Sequence, residues 1–491
     1  MSLNIGKDQV QSTTSGASQK ASSRWAGLAV VLIATFMAML DGFIINVAIP
    51  SIQRDLQASP TAIELIGAGY SLPYALLVIT GGRLGDLYGV RRLFIIGVAL
   101  FTGFSALCAV APDAVFLIAA RVGQACGGAL LYPQVLSFIQ QSFQKDERAQ
   151  ALSLWGAIGG LASILGQLIG GGLITANVAG LAWRSVFLVN VPLGIIVLIG
   201  AWAFVFDNRE PQKAPLDWRG TGLVAIGLLL FLYPLVEGHT LGWPWWIILC
   251  LPLALLVIVG FGLFERRIAL QGHRPLIDLK LFHLPSFLWG CILEVAWCAS
   301  TAAFFFILAI YLQNGLGYSA IASGLTFTPL GVILILAAIL SSLVVKRLGS
   351  WTFALALGLT VIGTFGLLLV ANASGSKSPD WILLLLMLLL IGLGLGLGAP
   401  TVMTFALGDV PGQESGSASG VMETMMQLGF ALGAPLIGLV FFAESGATNE
   451  IIAQHVPHAF TQSLLFLGCS LVLLLALIPF LVYTTRKHAQ E

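Results

Sequence analysis

The composition of this 491-residue chain excludes an ordinary soluble domain. Hydrophobic residues make up 58% of it, charged residues make up 9%, and the mean hydropathy is +0.95, which is the profile of a protein that crosses a membrane several times. The net charge is +1 and no basic domain stands outside short loops, which argues against a nucleic-acid partner.

Fourteen apolar runs follow one another along the chain. Each is near the ~20 residues that a helix needs to cross a bilayer, and none alternates with the period of two that a barrel strand requires. Because backbone groups in lipid must be satisfied internally, the runs predict membrane-spanning helices and an all-α polytopic fold. They cover residues 25–49, 62–81, 92–111, 114–140, 150–174, 184–206, 219–238, 244–264, 286–312, 320–345, 351–371, 381–407, 416–443 and 460–485.

The first 23 residues precede these runs and are rich in Ser, Thr and Gln, which predicts a disordered tail. The apolar run after the tail is long enough to span a membrane and ends without a small-residue cleavage pattern. We therefore do not expect a cleaved signal peptide.

The Lys and Arg residues lie mainly on one side of the predicted spans. With the N-terminus in the cytoplasm, the loops on that side carry 19 of them and the opposite loops carry three, at positions 54, 184 and 377. Positively charged loops are retained in the cytoplasm. We therefore expect a protein of the cell membrane with both termini cytoplasmic.

An internal repeat relates the two halves of the chain. A shift of 267 residues places one set of residues on a second set of the same types without a gap. The first set is Gly127, Pro133, Glu147, Gly166 and Gly171, and the second is Gly394, Pro400, Glu414, Gly433 and Gly438. Parallel repeats of this kind predict two six-helix bundles that face each other across a central cavity.

The predicted domains follow from this repeat. They are a cytoplasmic tail (1–23), an N-terminal six-helix bundle (24–206), two extra spans with cytoplasmic linkers (207–283), a C-terminal six-helix bundle (284–485) and a short cytoplasmic tail (486–491).

The stretch GGRLGDLYGVRR (81–92) concentrates glycine and charge in one cytoplasmic loop. Two bundles that rock must close and release on this face, and close-packing glycines with a charged clasp suit such a gate. Asp86 can accept hydrogen bonds from a facing helix or pair with Arg91 or Arg92. A tight turn that only follows the distribution of positive charge is an equally good interpretation.

The sequence GGRLGDLYGVRRLF resembles the loop signature of the major facilitator superfamily. Other stretches resemble its fourteen-helix drug:proton antiporter branch, the EmrB/QacA-like transporters. They are LDGFIINVAIP (40–50), RVGQACGGALLYP (121–133), WRSVFLVNVPLG (183–194), PLIDLKLF (275–282), YLQNGLGYSAIASGLTFTP (311–329) and LGDVPGQESGSASGVMETMMQLG (407–429). The similarity covers nearly all of the chain after the tail.

The resemblance implies a major facilitator fold with two inserted central helices, and it implies roles for matching positions. Asp41 and Asn46 match the first-helix motif, and Arg121 with Gln124 match the fourth-helix motif that the family links to proton coupling. The positions that match the gate motif are Gly82, Gly85, Asp86, Gly89 and Arg91.

The chain departs from the antiporter pattern in its fifth predicted span. Antiporters have Gly-Pro there, whereas this chain has Gly166 followed by Gln167. The missing proline belongs to the segment that the family associates with export. Uptake of a small metabolite by proton symport or uniport therefore remains the alternative.

Proton exchange at membrane depth requires a carboxylate here, because all six histidines fall in loops, helix ends or the tail. The candidates are Asp41, Glu294 and Glu423. An ionised acid at the bilayer centre costs roughly 2.5–3.5 kcal/mol, so a carboxyl there can exchange a proton for an organic cation. Asp41 is expected about two-thirds along the first span, and the alternative is that it only hydrogen-bonds a neighbouring helix.

The predicted substrate cavity centres on residues four apart in the thirteenth span. Glu423 and Gln427 share one helix face, with Met422 and Met426 beside them, which suits an adaptable pocket for a flat cation. Helix packing is an equally good interpretation of this group. The other predicted cavity residues are Asn46, Gln124, Glu294 and Trp297.

Arg121 lies about 12 Å from the outer end of its predicted span and needs a partner or water at that depth. Proton coupling is the interpretation that we favour, and a static buried ion pair is the alternative. Glycines recur along the fifth span and predict close helix packing. They are Gly156, Gly160, Gly166, Gly170 and Gly171.

These features predict a transporter and not an enzyme, because no HExxH, GxSxG or paired-His pattern is present. The six cysteines lie in apolar runs without CxxC spacing, so no metal site is expected. We expect efflux of lipophilic, cationic organic compounds by alternating access in exchange for protons. The expected partners are the substrate, protons and lipid, the proton gradient replaces any cofactor, and a monomer is sufficient.

Overall fold

The computed structural model describes residues 5–143, 145–206, 218–238, 241–271, 279–349, 351–374, 379–411, 415–445 and 454–488, and the regular elements within these residues are helices. The α-helices are α1 (Ile5–Leu56), α2 (Pro60–Tyr88), α3 (Val90–Ala109), α4 (Ala114–Ser142), α5 (Lys145–Ala176), α6 (Ser185–Leu188), α7 (Asn190–Phe204), α8 (Trp218–Glu237), α9 (Trp245–Leu270), α10 (Pro285–Ile310), α11 (Ala320–Leu348), α12 (Trp351–Ser374), α13 (Trp381–Leu407), α14 (Ser415–Ser445) and α15 (Val456–His488). A π-helical turn, Tyr311–Gly315, follows α10.

The helices account for all fourteen predicted runs, with α6 and α7 together forming the sixth. Thirteen segments in the described part of the chain are long and apolar enough to cross a membrane. The remaining predicted run corresponds to Arg219–Leu235 within α8, which is apolar but shorter. The prediction of an all-α polytopic membrane protein is confirmed.

Helix α1 is longer than predicted at both ends. It begins at Ile5, so helical backbone covers residues 5–23, for which the composition predicted disorder. Extending an existing helix costs much less than nucleating one, and this segment contains no proline. At the other end α1 continues through Pro50 to Leu56. Asp41 therefore lies near the middle of the Arg24–Leu56 span and not two-thirds along it.

Polar contacts define two opposite ends of the N-terminal bundle. At one end, which we call the near face, Arg24 at the start of the α1 span donates to the Ser142 carbonyl oxygen at 3.2 Å and pairs with Glu147 at 3.3 Å. At the other end, the far face, Arg184 pairs with Asp55 at 2.5 Å and donates to the Ala111 carbonyl oxygen at 3.1 Å. Successive spans therefore alternate in direction between these two faces.

Each bundle repeats the helix contacts of the other. Helix α1 packs on α5 and α7, α2 packs on α4, and α3 packs on α4 and α7. In the second half α10 packs on α14 and α15, α11 packs on α13, and α12 packs on α13 and α15. The N-terminal bundle thus consists of α1 to α7 and the C-terminal bundle of α10 to α15, related by a pseudo-two-fold.

The glycines of the sequence repeat occupy equivalent contacts in the two bundles. Gly127 of α4 lies against the backbone of Phe101 in α3, and Gly394 of α13 lies against Thr360 in α12. Gly166 of α5 packs on α1, and Gly433 of α14 packs on α10. A side chain at any of these positions would meet the neighbouring helix, so small residues allow the helices to approach closely.

Two seams join the bundles, one between α5 and α11 and one between α2 and α14. The inserted helix α8 packs on both α2 and α14, and α9 packs on α8. Thr80 of α2 and Thr221 of α8 share a buried hydrogen bond of 3.1 Å. Leu232 of α8 forms an apolar cluster with Ala431 and Leu432 of α14. The inserted pair therefore covers the α2–α14 seam.

One helix of each seam, α2 in the α2–α14 seam and α11 in the α5–α11 seam, begins with an equivalent serine cap. The Ser59 hydroxyl accepts from the Ala62 backbone N–H at the start of α2, at 3.2 Å, and the Ser319 hydroxyl accepts from the Ala322 N–H at the start of α11, at 3.3 Å. Both serines have extended backbone, as N-cap residues require. The two caps align α2 with α11 residue by residue.

Candidate functional site

Asp41 lies fully buried inside the N-terminal bundle and is surrounded by hydrogen-bond donors. Its Oδ1 accepts from Gln124 Nε2 at 2.9 Å and from Asn190 Nδ2 at 2.8 Å. Its Oδ2 accepts from Arg121 Nη1 in an ion pair. Helices α1, α4 and α7 are thus tied together by one carboxylate.

Arg121 is 1% exposed, and its guanidinium is held on several sides. Besides Asp41, it donates to Gln124 Oε1 at 2.8 Å and to the Ile66 carbonyl oxygen of α2 at 3.4 Å. Its central carbon lies 4.9 Å from the ring centre of Tyr70 and 5.8 Å from that of Phe187. Pairing, hydrogen bonds and aromatic faces together offset the cost of burying this cation.

Ser105 and Asn190 belong to this group and were not predicted. Gln124 Nε2 also donates to Ser105 Oγ of α3 at 2.7 Å, and Asn190 contacts both Asp41 and Ser105. Asn190 lies in the WRSVFLVNVPLG stretch that carries the family resemblance, and this is the signal that could have identified it. Ser105 is one of two hydroxyl residues in the apolar helix α3, with Thr102, and its sequence context offers no such signal.

The arrangement links the contact between α1 and α4 to the charge on one carboxylate. Transfer of a proton onto Asp41 would remove its attraction for Arg121 and leave the guanidinium with neutral partners. The sequence predicted Asp41, Arg121 and Gln124 individually, and the structure brings them into one cluster.

A second group of polar residues lies where α14 faces α2. Gln427 Nε2 donates to Glu423 Oε1 at 3.3 Å, and the Tyr74 phenol of α2 lies beside the Glu423 carboxyl. The Tyr74 ring is 5.8 Å from Tyr70 and 6.0 Å from Tyr132, between ring centres. An acid of the C-terminal bundle therefore faces a row of tyrosines of the N-terminal bundle. These tyrosines were not predicted.

Three other residues that were predicted to line the substrate cavity are buried or half-buried. Glu294 is 3% exposed and lies within electrostatic range of Glu423, with Cys298 Sγ 3.6 Å from its Oε1. Asn46 and Met426 are half-buried on α1 and α14.

Trp297 and Met422, which were also predicted to line the cavity, lie in the interior of the C-terminal bundle. Trp297 is 2% exposed, and its ring packs against Phe353 at 5.4 Å. Met422 is fully buried, with its sulfur 3.8 Å from Cys291 Sγ. Trp297 also borders a small cavity within the C-terminal bundle, together with Ser300. The role of Trp297 and Met422 in the substrate cavity stays a prediction.

The predicted gate residues make their described contacts within the N-terminal bundle. Gln134 Nε2 of α4 donates to the Gly81 carbonyl oxygen at 2.8 Å, and a side chain at Gly85 would collide with Gln134. Gly82 touches Pro133, and Gly89 has φ 95°, a backbone conformation that favours glycine in the turn between α2 and α3.

The charged gate residues lie on the near face. Arg91 Nη2 donates to the Trp202 carbonyl oxygen of α7 at 2.7 Å and lies over the Trp202 ring at 5.7 Å. Arg92 is exposed. The side chain of Asp86 lies outside the described residues, so its hydrogen bonds to a facing helix or its pairing with Arg91 or Arg92 stay predictions.

The glycines of α5 serve two neighbours. Gly166 and Gly170 pack on α1 at Ile44, inside the bundle. Gly160 and Gly171 face Ile335 and Ala320 of α11, across the seam. The contacts of Gly156 lie outside the described residues. Close approach at these positions therefore holds the bundle together and also closes the seam.

The bundles meet at the far face. Gln313 Nε2, in the π-helical turn after α10, donates to the Val47 carbonyl oxygen of α1 at 3.0 Å. The Ile321 N–H of α11 donates to Thr175 Oγ1 of α5 at 3.2 Å. The structure is thus closed between the bundles at this face.

Two pseudo-symmetric bundles around buried charged groups define a polytopic membrane transporter, and this protein is not an enzyme. The Major Facilitator Superfamily model matches residues 31–434 and 351–490, so the chain belongs to the Major Facilitator Superfamily. The probable actinorhodin transporter of Streptomyces coelicolor is 37% identical to it over 430 residues, which are 86% of this chain and 73% of that protein. The cephamycin export protein CmcT of Amycolatopsis lactamdurans is 33% identical over 476 residues, 96% of each chain. The predicted resemblance to drug exporters of this superfamily is confirmed.

A solved structure supports the same fold. The inward-facing, unoccupied form of a bacterial homologue of the human lysosomal transporter Spinster superposes with a TM-score of 0.68 at 17% identity, covering 95% of this chain and 98% of that one.

Proposed function

We propose that this chain exports lipophilic, cationic organic compounds across the cell membrane in exchange for protons. The observation that carries the proposal is the buried cluster of Asp41, Arg121, Gln124 and Asn190 within the N-terminal bundle. The direction of transport is supported by a relative that is named as an export protein, the cephamycin export protein CmcT.

The Asp41 cluster has the properties of a proton site. The carboxylate is fully buried near the middle of the α1 span, and three donors from α4 and α7 converge on it. Removing one partner of a buried ion pair typically costs about 3–5 kcal/mol. We therefore propose that the contact between α1 and α4 at this ion pair carries the proton coupling.

The group around Glu423 has the properties of a cation site. A carboxylate with an amide neighbour faces the aromatic row of Tyr70, Tyr74 and Tyr132. Aromatic faces and a carboxylate both attract organic cations, and a desolvated cation–π contact contributes about 2 kcal/mol. Because this group joins α14 to α2, a bound substrate would contact both bundles at once.

The transport cycle follows from the two faces. We place the near face in the cytoplasm, because the loops rich in Lys and Arg lie there. The bundles 24–206 and 284–485 rock about the central site while 207–283 accompanies them, and the gate motif at Gly82 to Arg92 closes the near face when the far face opens. A monomer in the plasma membrane suffices for this cycle.

Transport in proteoliposomes with an imposed pH gradient tests the proposal. Ethidium, a flat lipophilic cation, should move against its own gradient as protons move the other way. Asp41→Asn should reduce gradient-driven movement to the level of protein-free liposomes. Asp113→Asn, which changes an exposed N-cap acid at the start of α4, is the matched control and should keep coupling. Movement of the probe in the same direction as protons would replace antiport by symport.

A further inference from the structure

Glu64 is a buried acid that neither the Asp41 cluster nor the Glu423 site uses. It lies one turn into α2 from the far face, and the residue is 5% exposed. Its carboxyl Oε1 is pressed against Gly438 of α14, so that a side chain at position 438 would collide with it. Glu64 therefore lies inside the α2–α14 seam, at the end where the bundles are closed.

The opposite seam shows what ordinarily fills this position. The matching N-caps Ser59 and Ser319 align Glu64 of α2 with Gly324 of α11. Gly324 packs directly on the backbone of Gln167 in α5. In the α5–α11 seam the two helix backbones are thus in direct contact. In the α2–α14 seam the Glu64 carboxyl lies between α2 and Gly438 of α14.

The surroundings of Glu64 disfavour a negative charge on its carboxyl. Within the described part of the chain, the titratable group that acts on its carboxyl is Glu237, at the end of the inserted helix α8. Helix α14 presents Gly438 at the contact. Burying a carboxylate beside a like charge is costly, since neither desolvation nor repulsion is offset.

We propose that Glu64 is a proton-controlled latch of the far face, which allows the α2–α14 seam to close only when a proton occupies its carboxyl. When the seam is open, the carboxyl is in far-side water and releases its proton there. Hydration and repulsion from Glu237 then keep the seam apart. Closure requires proton transfer from hydronium in far-side water to the Glu64 carboxylate: one O–H bond of hydronium breaks, an O–H bond forms on the carboxyl, and water is released. The inserted helix α8 supplies the opposing charge.

The latch depends on the proposed function in one respect only, which is the assignment of the far face to the extracytoplasmic side of the membrane. An acidic exterior would then close the far face after substrate release and return the protein to its inward-facing form. The Asp41 cluster is a separate proton site in the interior of the N-terminal bundle.

Spin-label distances test the latch without substrate and without a gradient. Labels at Val110→Cys and Ala373→Cys report on exposed far-face positions of the two bundles, in a background where the six native cysteines are alanine. In lipid nanodiscs, the short-distance population should fall as the pH rises from about 5 to about 9. Glu64→Gln should keep the short distance throughout.

The second variant fixes the sign. Glu237→Gln removes the repelling charge, so Glu64 can ionise at lower pH and the opening midpoint should move down by about one pH unit, a tenfold change in proton affinity. Glu444→Gln changes an exposed acid on the same helix as Gly438 and should leave the midpoint unchanged.

The proposal is overturned if Glu64→Gln opens with the midpoint of the unsubstituted protein, or if Glu237→Gln leaves the midpoint in place. Because these distances are measured at equilibrium, a failure of ethidium antiport would not move them. A pH-independent seam, conversely, would leave gradient-driven transport through Asp41 standing.

Discussion

The contact between Arg121 and Asp41 makes a prediction that separates a proton site from ordinary packing. Arg121→Gln removes the guanidinium and leaves the Asp41 carboxylate with only the amides of Gln124 and Asn190. Both members of the pair are at most 1% exposed, so water cannot compensate in the closed structure. The single substitution should therefore strongly destabilise the protein.

The magnitude follows from the burial of the pair. An uncompensated buried charge costs about 3–5 kcal/mol. The lost contacts of Arg121 with the rings of Tyr70 and Phe187 add about 1 kcal/mol. Adding Asp41→Asn to Arg121→Gln removes the unpaired charge, and an uncharged amide pair at the site should recover most of the loss.

Unfolding in detergent, followed by intrinsic fluorescence, gives the free energies for the four proteins of this double-mutant cycle. We expect a coupling energy of about 2–4 kcal/mol, with the double variant more stable than Arg121→Gln alone. The double variant should fold but fail to couple ethidium movement to protons. Additive losses, with the double variant the least stable of the four, would refute the claim that the pair is an electrostatic unit.

Two further outcomes concern packing and substrate. Gly81→Ala places a methyl group on the backbone of Ala129 in α4, so it should destabilise the protein by about 1–3 kcal/mol in the same unfolding assay. The control is Gly103→Ala, whose methyl group meets nothing within 4 Å, and it should be neutral or stabilising by about 0.5 kcal/mol. Glu423→Gln should weaken ethidium binding about tenfold, as measured by fluorescence titration, because one charge contact of roughly 1.4 kcal/mol is lost. Binding of an uncharged lipophilic dye should not change, and equal weakening of both would remove Glu423 from cation recognition.

The fold follows closely from the sequence because its signals are long. Span length and apolar composition decide where helices lie, and the 267-residue shift relates Gly166 to Gly433, which occupy equivalent contacts on α1 and α10. Tail helicity was missed because residues 5–23 have no apolar period, although they continue a helix that is already formed.

The sites follow less completely, since they depend on how helices are rotated. Asp41 and Arg121 are both conspicuous as charges in apolar runs, but they lie 80 residues apart and their pairing requires the packed bundle. Trp297 was predicted to line the cavity because of its spacing from Glu294; its ring packs against Phe353, a contact that the sequence does not reveal, and its role in the cavity stays a prediction. Tyr74 was overlooked because an aromatic residue in a membrane helix is ordinarily a packing residue.

The two charged sites lie in different bundles, and a short chain of contacts connects them across the α2–α14 seam. Arg121 lies over the ring of Tyr70, Tyr70 packs on Tyr74, and Tyr74 lies beside Glu423. Energetic coupling between sites is carried by packed side chains that have more than one arrangement. Helix α2 provides both tyrosines, so a shift of this one helix would change the partners of the proposed proton site and of the proposed cation site together. Coupling between the two sites needs no long-range signal, because α2 both closes the α2–α14 seam and lies between the Asp41–Arg121 pair and Glu423.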